Sequence, residues 1–294
     1  MSAHNPYPGE NNTGHFWDDE NDIRELNNRP PRWYMWALYI SLLAVPIYVI
    51  YFPSIPWFGT HTEGVAKWTA IGEMNESIQK LENYRAKKFA AQNAAIASKT
   101  PKQILADKEL TNYAVATAKT LFADNCAACH GSNGQGNVGF PVLADDDWLY
   151  GGTIENIHTS ITNGRKGNMP AYRNSLTDDE ANILADFVIS GGKNTKGKSL
   201  YMAKGCVGCH LPNMKGMTVL GSANLSDAIY RFKPDTEKGQ TQKEKVRDII
   251  LYGVNQNNPH TQEAIMPNFG ASKIIDKDEI KKLAVFVHQL GGGK

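Results

Sequence analysis

The four cysteines of this 294-residue chain all fall in two short runs, "NCAACHG" at 125–131 and "GCVGCHL" at 205–211. A Cys-x-x-Cys pair alone is compatible with a redox dithiol, half of a zinc site or a haem attachment. A thioredoxin-like dithiol needs a βαβ setting that neither run has, and a zinc centre would have to draw on both pairs. The histidine that follows each pair at once selects the third reading. Two sulfurs bond the haem vinyl groups and the adjacent imidazole becomes an axial ligand of iron. The residues concerned are Cys126, Cys129 and His130, then Cys206, Cys209 and His210. The expectation is two covalently bound haem c groups.

The second axial ligand decides the chemistry. A thioether raises the potential relative to bis-histidine and closes the iron to small ligands, whereas an open site favours peroxide or O₂ chemistry. Between the first motif and its closing helix the only methionine is Met169, in "GNMPAY". In the second half Met266, in "AIMPNF", likewise precedes a proline, with Met202, Met214, Met217 and His260 as competitors. The reading pairs Met169 with His130 and Met266 with His210. Pro141, in "GFPVLADDDWLYGG", is placed to accept the free N–H of His130 through its carbonyl and so fix the ring. The second half has Ala223 where a matching proline would stand, and Leu211 where the first has Gly131. Its stretch from Phe232 to Asp248 is longer, basic and expected to be solvated.

The elements that must hold these residues repeat. A helix-like run precedes each motif, with Ala118 and Phe122 four apart in one and Gly197 and Tyr201 in the other. A small residue with an aromatic at i+4 suits a helix crossed closely by another. Each half closes with a capping box, Thr177 with Glu180 and Asp276 with Glu279, ahead of a helix that ends in glycines. Few alternating β-branched runs occur, so the chain reads as mainly α, with haem units at 106–192 and 193–294. Residues 53–105 read as a linker whose polar, alanine-rich part forms one surface helix.

Upstream, residues 33–52 carry no charge and are flanked by aromatics, long enough to cross a bilayer. Arg24, Arg29 and Arg32 precede the span and the next Lys or Arg is Lys67, which puts residues 1–32 in the cytoplasm and residues 53–294 outside. Net charge is +1, but 106–192 hold 5 basic and 11 acidic residues and 193–294 hold 16 and 9. The dispersed cations give no nucleic-acid signature. The reading is an electron-transfer protein. A dihaem peroxidase, or a cytochrome subunit of another membrane dehydrogenase or quinol-oxidising complex, are the alternatives.

With its single span begun by "PRWYMW", the "GFPVLADDDWLYGG" run and "NMPAY", the chain resembles the membrane-anchored dihaem subunit of cbb(3)-type haem–copper oxidases over essentially its whole length. The resemblance implies one transmembrane helix followed by two class I-like cytochrome c domains. It also implies a bacterial inner-membrane location with periplasmic haem domains. The expected partners are a catalytic haem–copper subunit, a monohaem cytochrome c subunit, a donor cytochrome c and membrane lipid.

Overall fold

The structure is a computed structural model that describes residues 9–18 and 23–291, so residues 1–8 and 19–22 of the expected 1–32 segment lie outside it. It divides into two compact units, 1–87 and 88–294.

The first unit opens with an antiparallel hairpin of β1 (Asn12–Asp18) and β2 (Ile23–Leu26). Helix α1 (Arg32–Tyr51) follows, matching the predicted span within one residue at each end. Twenty residues at 1.5 Å rise give about 30 Å, the thickness of a hydrocarbon core. Its aliphatic side chains are largely exposed among the described residues: Leu43 and Ile47 are each more than 60% exposed (67% and 64%). A second hairpin, β3 (Pro56–Trp57) with β4 (Thr60–His61), turns the chain back on itself. The N–H groups of Val65 and Ala66 then donate to the Ile50 and Tyr51 carbonyls at the helix end. Helix α2 (Ala70–Lys88) is exposed throughout and matches the predicted surface helix.

That helix stops earlier than expected. Phe89 leaves the helical region (φ −109°, ψ 21°), and α3 (Ala90–Ser98) and α4 (Pro101–Ala106) form separately, the latter behind a Thr100–Gln103 capping box. Ile96 and Ile104 are both 0% exposed. The end of the predicted linker is therefore a wall of the first core. The apolar residue that matters, Ile96, lies beyond the break, where a stripe drawn on one continuous helix would misplace it.

Two cores organise residues 88–294, and each begins with the helix before a haem motif. Helix α5 (Lys108–Asn125) leads into α6 (Ala127–His130), and α9 (Thr195–Ala203) leads into α10 (Val207–His210). The closing helices α8 (Asp178–Ile189) and α13 (Lys277–His288) carry the predicted capping boxes. Their partners, however, are exchanged. Helix α5 packs against α13, with Ala114, Ala118 and Leu283 fully buried and the Phe122 and Phe286 rings 5.1 Å apart. Helix α9 packs against α8, where Gly197 lies so near Phe187 that a Cβ would collide with it, and the Phe187 and Tyr201 rings sit 5.3 Å apart. The small-plus-aromatic pattern marks both crossings correctly. Packing nonetheless ignores the expected boundary between 106–192 and 193–294: the last helix of each sequence half closes the core begun by the other.

The chain trades places in a narrow seam. Helix α7 (Ile154–Asn163) ends at Gly164 and α11 (Gln242–Tyr252) at Gly253, with φ of 67° and 71°. The strand β5 (Arg165–Lys166) then pairs antiparallel with β6 (Ile265–Met266), Arg165 opposite Met266. Met169 and Val254 exchange backbone hydrogen bonds of 3.3 and 2.9 Å. Asn255 Nδ2 ties the strands further, donating to Gly167 O at 2.6 Å and Ala264 O at 3.0 Å. Both glycines leave no room for a side chain: a Cβ on Gly164 would strike the Met266 carbonyl, and one on Gly253 the Met169 carbonyl.

Candidate functional site

Cys126 ends α5, and the short turn of α6 carries Cys129 and His130 to the edge of a cavity of about 540 Å³. Apolar side chains from four helices form most of its wall, among them Phe122, Ile157, Ile161, Leu283, Val287 and, from the short helix α12 (Phe269–Ser272), Phe269. His130 Nδ1 lies 3.0 Å from the Pro141 carbonyl oxygen. A carbonyl only accepts, so Nδ1 carries the proton and Nε2 keeps its lone pair. Burial also pulls the imidazole below its ordinary pKa, assisted by the nearby Arg231 cation, which favours the neutral ring.

The methionine in this cavity is Met266, which packs on the first core with Cys126. Met169 packs instead on the second core, beside Cys206, Val207, Tyr172 and Leu225. The packing does not bring together the expected pairs, Met169 with His130 and Met266 with His210: the seam sends each Met-Pro across to the other lobe. Sequence position alone assigned each methionine to the motif before it. His260 is exposed and stacks on Tyr252 at 4.8 Å, outside the first cavity's lining. Met214 is buried with its sulfur toward Gly192 and Phe187, filling core, and Met202 is half exposed.

The second motif repeats the arrangement with different residues. His210 Nδ1 lies 2.9 Å from the Ala223 carbonyl, so a backbone oxygen does there what Pro141 does in the first lobe. No proline is needed, because the loop is fixed by Ser222, whose hydroxyl donates to Cys209 O at 2.7 Å and accepts from Met217 N at 2.8 Å. Leu211 takes the left-handed φ of 62° that Gly131 adopts at 75° in the first lobe. The Tyr201 hydroxyl donates to the Leu211 carbonyl at 2.8 Å and helps hold that turn. Burial lowers the His210 pKa as well.

The inner cysteine of each pair, Cys126 and Cys206, lacks the lowered pKa of a reactive thiol. Burial, with Cys129 beside it, pushes the Cys126 thiol up to about 11, and burial raises Cys206. A reactive dithiol needs the opposite shift. Nor is a four-thiolate zinc site assembled, because Cys126 sits on one core and Cys206 on the other. What the first cavity does want is visible at Trp148, whose Nε1–H is buried without a partner. An apolar slot with two thiols and an imidazole at its edge, a thioether among its lining residues and an unanswered donor fits a haem bearing acceptor groups.

The chain is similar to known proteins along nearly its whole length. Residues 114–188 match the family described as cytochrome c oxidase, cbb3-type, subunit III; residues 9–59 match the N-terminal domain of cytochrome oxidase-cbb3, FixP; residues 195–291 match cytochrome c. The cbb3-type oxidase subunit FixP of Azorhizobium caulinodans is 35% identical over 97% of this chain and 94% of its own length. The chain belongs to the cbb3-type oxidase subunit III family. The subunit CcoP of an Azospirillum species is 32% identical over 97% of both chains, and FixP of Rhizobium meliloti 34% over 97% and 96%. As a member of that family the protein is an electron-transfer subunit of a cbb3 oxidase, with two cytochrome c domains that imply haem c, and α1 is its candidate membrane anchor.

Sequence reasoning missed the polar part of the first cavity. Phe232, Lys233 and Lys245, from the stretch expected to be solvated, line it together with Arg231, which immediately precedes that stretch, and Arg165. Their signal was present only as an excess of basic residues, with nothing to say which lobe they face.

Proposed function

We propose that the chain carries two covalently bound haem c groups with exchanged axial methionines: Cys126 and Cys129 with His130 and Met266, and Cys206 and Cys209 with His210 and Met169. The observation that carries this reading is the seam, in which each Met-Pro segment packs on the core of the opposite motif. Bound haem would supply one-electron Fe(II)/Fe(III) chemistry. The chain's own contribution is rigidity. His130 and His210 are each oriented by a backbone carbonyl, and the Met169 and Met266 backbones are pinned by strand hydrogen bonds. With the ligand side chains fixed in this way, little has to rearrange when charge changes.

The reading extends to placement. Residues 1–32 lie in the cytoplasm, as the arginines ahead of α1 favour, and the haem lobes in the periplasm of a bacterial inner membrane. There the protein, assembled with the oxidase's monohaem and catalytic haem–copper subunits, passes electrons from a donor cytochrome c to the catalytic core that reduces O₂. The test is the detergent-solubilised complex. Haem-specific staining of the denatured subunit, with a mass corresponding to two haems, is expected, along with co-purification of both oxidase subunits. A subunit with one haem or none, or one that purifies with a dehydrogenase, overturns the assignment.

A further inference from the structure

The charges around the first cavity do not balance. Its lining holds four cations (Arg165, Arg231, Lys233 and Lys245) against two carboxylates (Asp147 and Glu263), a surplus of two in an otherwise apolar slot. Several of these cations are held in place. Arg231 pairs with Asp147 at 3.0 Å, both side chains more than four-fifths buried. Lys245 Nζ donates to Gln262 Oε1 at 2.8 Å. Arg165 Nε donates to Ser160 Oγ at 2.9 Å while its guanidinium lies 4.3 Å over the Tyr150 ring. A guanidinium has five N–H donors, so Arg231 and Arg165 retain donors beyond these contacts. Lys245 belongs to α11, whose Val246, Ile250 and Leu251 build the second core. The second lobe thus presents fixed positive charge to the first lobe's cavity.

We propose that Arg231, Lys245 and Arg165 form a carboxylate-binding rim that takes the two propionates of the first haem, so that the second lobe helps set the first haem's potential. This rests on the haem reading above. A surplus of two cations matches two ionised carboxylates, and charge-assisted hydrogen bonds to guanidinium are the strong kind. A cation near the iron also disfavours the more positive ferric state, so it raises the potential.

The experiment is an equilibrium redox titration of the intact oxidase carrying Arg231→Gln, and separately Lys245→Gln, following both haems of this subunit, with haem content measured on the same samples. Each variant should keep two haems and lower only the first haem's potential. For Arg231→Gln the expected change is about tenfold in its reduced-to-oxidised ratio, 59 mV for a one-electron couple. The first haem should also gain pH dependence near neutrality, because a propionate without its cation titrates higher. Asp147→Asn should move the potential the other way, which a purely structural Arg231–Asp147 pair would not do. Lys245→Gln leaves the buried ion pair intact, so it decides the matter if Arg231→Gln fails to assemble. An unchanged first haem in a two-haem Lys245→Gln subunit, or a shift confined to the second haem, overturns the proposal. Loss of the first haem from the unsubstituted subunit would instead overturn the haem reading.

Discussion

At the residue scale, the two CxxCH runs stood out because haem attachment needs those types at that spacing, and both Met-Pro pairs could be singled out but not matched to the motif whose core they pack on. The carbonyl that orients His210 was not, since any residue can offer one; Ala223 does so because Ser222 ties down its loop. A pH dependence follows from the two histidines. Burial lowers the pKa of both, so the folded chain favours the neutral rings, and iron bound at Nε2 would act in the same direction. For a base with a depressed folded pKa, stability is at its maximum above the unfolded value of about 6.5. It falls as pH drops from there to the folded value and is then constant. The urea midpoint of the solubilised subunit should therefore be level above neutrality and decline below about pH 6.5. A midpoint that rises on acidification through this range would contradict the account.

At the scale of elements, the helices themselves could be read from capping boxes and glycine stops, and α8 and α13 begin where those boxes predicted. The break at Phe89 could not, because alanine-rich sequence is helical on either side of it. The seam makes the sharpest demand. Gly164 and Gly253 hold positive φ and press against the Met266 and Met169 carbonyls, so an alanine meets both torsional strain and a backbone collision. Gly253→Ala should cost about 1–3 kcal/mol from its glycine-only backbone conformation (φ 71°, ψ −169°) alone, and more from moving Met169. Thermal unfolding measures it. Gly239→Ala shares a φ of 69° but has open space around it, so it should cost less. Equal costs at the two positions would mean that the seam is not closely packed.

For the whole molecule, the exchange of closing helices was hidden because a repeat contains two copies of every docking pattern. Ala118 and Phe122 announce that a helix crosses α5, but α8 and α13 present equivalent faces, with Phe187 and Phe286 at matching places. Which copy docks is decided by the path through 164–169 and 253–266, and periodicity carries no information about that path. One consequence is that the lobes cannot be separated. A subunit ended after residue 192 retains α5 and α6 but lacks α13, whose Leu283, Ala284 and Val285 are all 0% exposed in the first core. It should fail to hold a six-coordinate first haem, as judged by its visible spectrum and protease resistance; a stable, protease-resistant monohaem fragment would show that the halves fold in sequence order. The exchange of ligands is tested most directly in subunits limited to the first haem by Cys206→Ser and Cys209→Ser. There, Met266→Leu should abolish the weak red charge-transfer band of thioether-ligated ferric haem, and Met169→Leu should leave it in place. Loss of the band with Met169→Leu, and its survival with Met266→Leu, would contradict the exchange outright.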